Sequence, residues 1–249
     1  MFDSLIQLFT DPGPASFVNF TFLPKYAPYF IDGVLNTLAL SVVAVLLAVI
    51  PALLLALMRL SKNKFVHAVS GAYIAVFRST PLLVQLSIIY FGVFYAIQVP
   101  RISIGFIRLD MFVPFVISLA LNSSAYVAEI FRAGILAVDA GQTEAARSLG
   151  LSQWQAMSKV VFPQGVKNSI PALSNELVIN LKDSSVLSVI GVVDLMFATT
   201  TIAGKYYKQM EIYVVAMAVY LVLTMVASKL LGLLANVLFL SRLPCRNFS

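Results

Sequence analysis

Charge is scarce in this chain. Asp, Glu, Lys and Arg make up only 11% of its 249 residues, where a soluble domain carries about a quarter. With 60% hydrophobic residues and a mean hydropathy of +0.92, it reads as a membrane protein. Cysteine and histidine are nearly absent: Cys245 and His67 stand alone, which excludes a disulfide framework within one chain and leaves no ligand set for zinc or haem. No metal site and no bound cofactor are expected. Also missing is a phosphate loop of the form G-x-x-x-x-G-K-[ST], since Gly204-Lys205 lacks both the upstream glycine and the following hydroxyl. The chain is not expected to hydrolyse ATP by itself. Its first 28 residues have no basic stretch leading into an apolar core and a small-residue cleavage site, so no removable signal peptide is read there.

What is present is apolar length. Crossing a bilayer takes about 20 mostly apolar residues, and candidates lie at 29–58, 82–99, 112–131 and 213–240. A fifth, at 169–199, is long enough but contains Glu176, Lys182, Asp183 and Asp194. The expected fold is an all-α membrane protein of about five transmembrane helices. It has an extracytoplasmic segment at 1–28, a membrane domain at 29–240 and a cytoplasmic tail at 241–249. Five crossings make the loops alternate sides. One side then collects Arg59, Lys62, Lys64, Arg132, Arg147, Lys159, Lys167, Lys229, Arg242 and Arg246, and the other only Lys25, Arg101, Arg108, Lys205 and Lys208. The excess of positive charge marks the cytoplasmic side, which puts the N-terminus outside and the C-terminus inside. Topology thus accounts for the formal net charge of +6, and nucleic acid is not expected as a partner.

The polar stretch EAARSLGLSQWQAMSKVVFP, Glu144 to Pro163, falls on the cytoplasmic side within a loop at about 136–163. Asp139 with Gln142, and Ser152 with Gln155, have the spacing of capping boxes that satisfy free N–H groups at a helix start. Gly150 is placed to close the first short helix through a left-handed turn, and Phe162-Pro163 is expected to end the second. The corner of this helix-turn-helix would present Leu149, Leu151 and Trp154 beside Ala145 and Ala146, with Glu144 as a fixed charge. A loop that merely joins two spans needs neither two capped helices nor an exposed Trp and Leu.

These residues resemble the EAA loop of the membrane subunits of ATP-binding-cassette importers, with Glu144, Ala145, Ala146, Gly150 and Pro163 at the motif's spacing. Val160 and Phe162 stand where that family more usually shows Ile and Leu. FRSTPLLVQL (Phe77 to Leu86), SAYVAEIFRAGI (Ser124 to Ile135), GQTEAARSLGL (Gly141 to Leu151) and LKDSSVLSVIGVVDL (Leu181 to Leu195) are similar, in the same order, to permease subunits of polar amino acid importers. The resemblance implies a type I importer fold in the bacterial inner membrane. It further implies a second permease subunit (a homodimer or a close homologue), two ATPase subunits that hold ATP and Mg, and an extracytoplasmic solute-binding protein. The corner at Glu144, Ala145, Ala146, Leu149, Gly150, Leu151 and Trp154 would dock into the ATPase.

A charge at mid-bilayer needs a partner or a water-filled cavity. At about 100° per residue, Glu176, Asn180, Asp183, Leu187 and Asp194 share one sector of a helix, with Lys182 pointing elsewhere. Asn122, Tyr126 and Glu129 share a face of the preceding span. Arg78-Ser79-Thr80-Pro81 interrupts a helix, and broken helices in transporters line cavities. A substrate pathway is therefore expected at Arg78, Thr80, Gln85, Asn122, Tyr126, Glu129, Asn180 and Asp183. Arg78, Thr80 and Gln85 would meet an α-carboxylate, and Glu129 and Asp183 an ammonium or a cationic side chain. In the alternative, these groups hold the bundle together, for instance Arg78 with Glu129, or Lys182 with an acid of a partner. An ion-coupled secondary transporter or channel is the rival transport reading; an intramembrane enzyme would need a nucleophile and a base on facing spans, and none stands out.

Overall fold

A computed structural model describes residues 20–97, 102–104, 107–207 and 209–240. The tail at 241–249 and most of the segment at 1–28 lie outside those residues. The first helix, α1 (Leu23–Arg59), starts earlier than the span expected at 29, with Pro24 in its first turn, where a missing N–H costs nothing. Its buried face is a ladder of small residues: Gly33, Thr37, Ser41, Ala44, Ala48, Ala52 and Ala56. Lipid gives helices no hydrophobic reason to associate, so close approach over small side chains takes that part.

That ladder packs against α4 (Leu109–Leu136), the central helix of the bundle. Two thirds of the apolar stretch of α4 is buried (67%), against 6% for the last helix, α8 (Gln209–Leu240), whose apolar surface is left for lipid. Phe115 and Leu119 of α4 join Leu40, Leu86 and Leu187 in one core cluster, and Val127, Ala128 and Phe131 join Ile74 in another. Just before α4, strands β1 (Ser103–Ile104) and β2 (Ile107–Arg108) form a small antiparallel hairpin, a minor departure from the all-helical expectation.

Two of the crossings are bent. Helix α2 (Lys64–Ser79) and helix α3 (Leu82–Ile97, π-helical over Ile88–Phe94) form one bent pair, 106° apart at Thr80-Pro81, with the shape of a broken span or a re-entrant loop. The span expected at 82–99 is only the second half of that unit. Helix α5 (Ala140–Ser148) is short and polar. Helix α6 (Gln153–Ile190) is long and is followed by α7 (Leu195–Tyr206) at a 48° bend. Counting each bent pair once gives five crossings.

Two sequence expectations fail along α6 and α7. Phe162-Pro163 does not end a helix: the chain passes through a π-helical turn at Met157–Val161, where the Phe162 N–H reaches back to the Met157 carbonyl, and continues to Asp183. The wider turn relieves the clash that proline makes with the preceding α-helical turn. Asp194 does not continue the polar stripe of Glu176, because the helix tightens to 3-10 geometry over Ser184–Ile190 and breaks at Gly191 (φ 93°). Asp194 instead caps α7, its Oδ1 accepting from the Phe197 N–H at 2.7 Å.

Candidate functional site: a capped corner joined to a polar cavity

The corner between α5 and α6 is built almost entirely from local hydrogen bonds. Asp139 Oδ1 accepts from the Gly141 N–H at 2.7 Å, which starts α5. The expected pairing of Asp139 with Gln142 is not a reciprocal box; Gln142 Oε1 instead accepts from Gln164 Nε2 of α6 at 3.3 Å. At the other end of α5, Gly150 N–H donates to the Arg147 carbonyl at 3.0 Å and Leu151 N–H to the Ala146 carbonyl at 3.2 Å. This is the paired closure that needs a left-handed residue, and Gly150 has φ 86°. Ser152 and Gln155 form a complete capping box, with bonds of 3.2 and 2.8 Å. The closed corner leaves Leu149 82% and Trp154 74% exposed. Glu144 and Ala145 are exposed as well, and Leu151 is half-buried. Ala146 departs from the expected surface patch: it is buried and anchors the corner from beneath.

At its root the corner is fastened to the bundle where α4 and α6 cross. A Cβ on Gly134 would collide with Ser169 Oγ and lie 2.5 Å from the Gly165 carbonyl oxygen, and one on Gly165 would lie 2.8 Å from Ile135 Cα. Only glycine fits at both places. Asn168 Nδ2 donates to the Gly134 carbonyl at 3.2 Å and Ser169 Oγ to the Ile130 carbonyl at 3.3 Å across the same crossing.

Beside this crossing lies a cavity of about 580 Å³, whose walls include Arg78, Tyr126, Glu129, Arg132, Asn168 and Glu176. A second hollow of about 480 Å³, bordered by Arg59, Gly71 and Ser79, shares Arg78, Tyr126 and Glu129 with it. Arg78 lies at the end of α2, just before the proline break, with its guanidinium 5.3 Å from the centre of the Tyr126 ring. Glu129 does not pair with Arg78. Its Oε2 accepts from Arg132 Nε at 2.8 Å, and Oε1 lies 3.8 Å from Arg59 Nε. Arg59 is further fixed by His67, whose ring nitrogens meet Arg59 Nη1 at 2.7 Å and the Arg59 carbonyl at 2.8 Å. Across the cavity, Glu176 is buried, with Asn180 Nδ2 3.3 Å from its Oε1.

The eight residues expected along a pathway therefore divide. Arg78, Tyr126 and Glu129 share the cavity wall. Thr80, Gln85 and Asn122 are brought together elsewhere, to repair the break: Gln85 Nε2 donates to the carbonyls of Phe77 (2.8 Å) and Thr80 (2.9 Å), while Asn122 Nδ2 donates to Gln85 Oε1 at 2.8 Å. Carbonyls freed by Pro81 would otherwise face an apolar medium. Asn180 ties three helices, since its side chain accepts from Ser123 Oγ at 2.8 Å and its carbonyl from Ser41 Oγ at 3.2 Å. Asp183 is half-buried further along α6 and borders neither hollow. Sequence reasoning missed the claim of Arg132 on Glu129, although its i, i+3 spacing signals it. It also left Glu176 out of the pathway, although Glu176 stands on the polar stripe. Among the described residues no group of His, Cys, Asp and Glu converges as a metal site.

A capped external corner rooted beside a polar cavity between broken helices defines a transporter's membrane subunit. Residues 44–239 match the family model described as binding-protein-dependent transport system inner membrane component, and the chain belongs to that family. It is 37% identical over 225 residues to the putative glutamine transport system permease protein GlnP of Rickettsia bellii (strain RML369-C), a match that spans 89% of this chain and all of that protein. It is also 37% identical to the arginine transport system permease protein ArtQ of Bacillus subtilis (strain 168), over 80% of this chain and 87% of that one. In three dimensions it resembles the crystal structure of an amino acid ABC transporter with histidines, with a TM-score of 0.78 and 45% identity, over 88% of this chain and 98% of the other. The chain is thus a multi-pass permease component of an ABC importer.

Proposed function

We propose that the chain carries a polar amino acid across the inner membrane after an extracytoplasmic solute-binding protein delivers it. Two separate ATPase subunits bind ATP and Mg and carry out the hydrolysis, and a second permease subunit completes the route. In this reading the corner from Glu144 to Leu151, with Trp154, docks into an ATPase on the cytoplasmic side, and the N-terminus lies outside. The observation that carries the reading is the corner itself. Three sets of capping bonds and a left-handed glycine hold Leu149 and Trp154 out in solvent, and a glycine-tight crossing roots them beside the cavity. Relatives named for glutamine and arginine support the substrate class.

Within the cavity, Arg78 is the group that meets the α-carboxylate and Glu176 the one that meets the ammonium or a cationic side chain. The structure favours Glu176 over Glu129, whose charge is already answered by two arginines, and over Asp183, which borders neither hollow. The test is uptake of labelled amino acids into liposomes containing the permease and its ATPase, with the binding protein added outside. Uptake that requires ATP, ATPase and binding protein is the expected result. Uptake driven by an ion gradient without ATP would overturn it in favour of a secondary transporter.

A further inference from the structure

Helix α2 begins on a side-chain cap: Asn63 Oδ1 accepts from the Phe65 N–H at 2.9 Å and from the Val66 N–H at 3.4 Å. The first turn is thereby fixed, with His67 set back against the end of α1. Both ring nitrogens of His67 reach Arg59, Nδ1 lying 2.8 Å from its carbonyl oxygen and Nε2 lying 2.7 Å from its Nη1. A carbonyl oxygen only accepts and a guanidinium only donates, so Nδ1 carries the proton and Nε2 presents a lone pair. The contact therefore admits one form of the ring, the neutral one. Gly71, one turn further along the same face of α2, leaves room for the guanidinium, since a Cβ there would lie 3.0 Å from Arg59 Nη1. Placed in this way, Arg59 turns its Nε towards Glu129 Oε1, 3.8 Å away, and among the described residues that buried Nε has no hydrogen bond. Arg132 takes the other oxygen of Glu129 at 2.8 Å. Glu129 borders both hollows beside the α4–α6 crossing, and Arg59 borders the second.

We infer that His67 is a positioning residue: when neutral it holds Arg59 on Glu129, and when protonated it turns Arg59 away and leaves Glu129 Oε1 to a cationic solute. Protonation sets an Nε2–H against an Nη1–H and places two positive charges side by side. The Arg59 contact is thus present at high pH and lost as pH falls. Histidine suits this task because its charge changes within about pH 5–8, and exposed His67 can exchange protons with solvent. The charged groups around it are Arg59 of α1, Glu129 and Arg132 of α4 beyond Arg59, and the exposed Lys62 and Lys64 just before it in the chain. The inference rests on the proposed passage of an amino acid through the cavity, and it gives that cavity a proton-dependent preference for cationic over neutral side chains.

The test is the binding of labelled arginine and labelled glutamine to the permease–ATPase complex in lipid nanodiscs, without the binding protein. Between about pH 8 and pH 5.5 the arginine side chain stays charged and that of glutamine neutral, so the ratio of the two affinities reports the site. The reference is His67→Gln, whose amide can donate to the carbonyl and accept from the guanidinium without titrating; it keeps Glu129, Glu176 and every other titrating group. Measured against it, the wild-type preference for arginine should rise about threefold to fivefold as pH falls, the size of effect that a partly exposed ion pair has. His67→Lys, charged throughout, should show the raised preference already at the higher pH. Without Arg59 the ring has nothing to move, so Arg59→Gln and the double variant Arg59→Gln with His67→Gln should share one pH profile. A histidine with only a structural role would weaken both amino acids together and leave the ratio unmoved. The same pH course in wild type and His67→Gln, an effect of residue 67 that survives the loss of Arg59, or no binding of either amino acid at either pH would each overturn the inference. An unmoved ratio alongside normal ATP-dependent uptake sinks only the switch; failure of wild-type uptake sinks the functional reading.

Discussion

Replacing Gly150 with valine isolates what the left-handed turn contributes. A Cβ at Gly150 meets nothing within 4 Å, so the substitution creates no collision with the rest of the protein, and its whole cost is that of holding φ at 86°. For an L-residue this is about 1–2 kcal/mol, and a β-branched side chain lies at the unfavourable end. Since 1.4 kcal/mol is about tenfold in an equilibrium, the closed corner should lose roughly 5- to 30-fold in population relative to open forms. Leu149 and Trp154 are presented together only when it is closed. The dissociation constant of the ATPase subunit, titrated onto the permease in lipid nanodiscs, should therefore rise, by up to the same factor where the open forms come to dominate. Asparagine tolerates the left-handed region better, so Gly150→Asn should fall between valine and wild type. Membrane insertion should be unchanged, because Gly150 lies outside every candidate span. A valine variant that binds the ATPase with wild-type affinity would refute the link between the turn and docking.

Gly165→Val forces apart two helices that touch through their backbones and should cost about 1–3 kcal/mol, seen as a lower unfolding temperature in detergent. Asn180→Leu leaves the Ser123 hydroxyl and the Glu176 carboxyl without their partner and should destabilise the bundle by about 1–3 kcal/mol, measurable in the same way. Arg78→Gln should reduce ATP-dependent amino acid uptake by about tenfold or more. The ATPase should still associate normally, because Arg78 is far from the corner in sequence and bonds no residue of it. Uptake at the wild-type rate would place the carboxylate contact elsewhere.

The corner was legible because its determinants are local. Capping residues, the closing glycine and the exposed Trp sit within a short stretch, and the hydrogen bonds they predict connect residues two to five apart. Apolar length made three crossings legible, those of α1, α4 and α8, and Pro81 the break between α2 and α3. Legibility ended where a proline's effect depends on its neighbours: Pro81 bends its span by 106°, whereas Pro163 is absorbed by a π-helical turn. The polar stripe was correct for as long as the helix kept its pitch, and Asp194 left it once the chain tightened to 3-10 geometry and broke at Gly191. The pairing of Glu129 with Arg59 joins residues 70 apart in number, as does no periodicity. Whether Gln85 and Asn122 face solute or a freed carbonyl depends on the bend angle, which composition does not encode.

Gly134 and Ser169 belong to two descriptions at once: they form the contact where α4 meets α6, and they line the same hollow as Arg78 and Glu176. There is little slack between these roles, because at Gly134 and Gly165 the helices come too close for even a Cβ, and Ser169 and Asn168 bond across the gap. Under the proposed docking, a push on the corner is passed to the hollow through this one contact, as a tug on a short stiff handle turns the blade fixed to it.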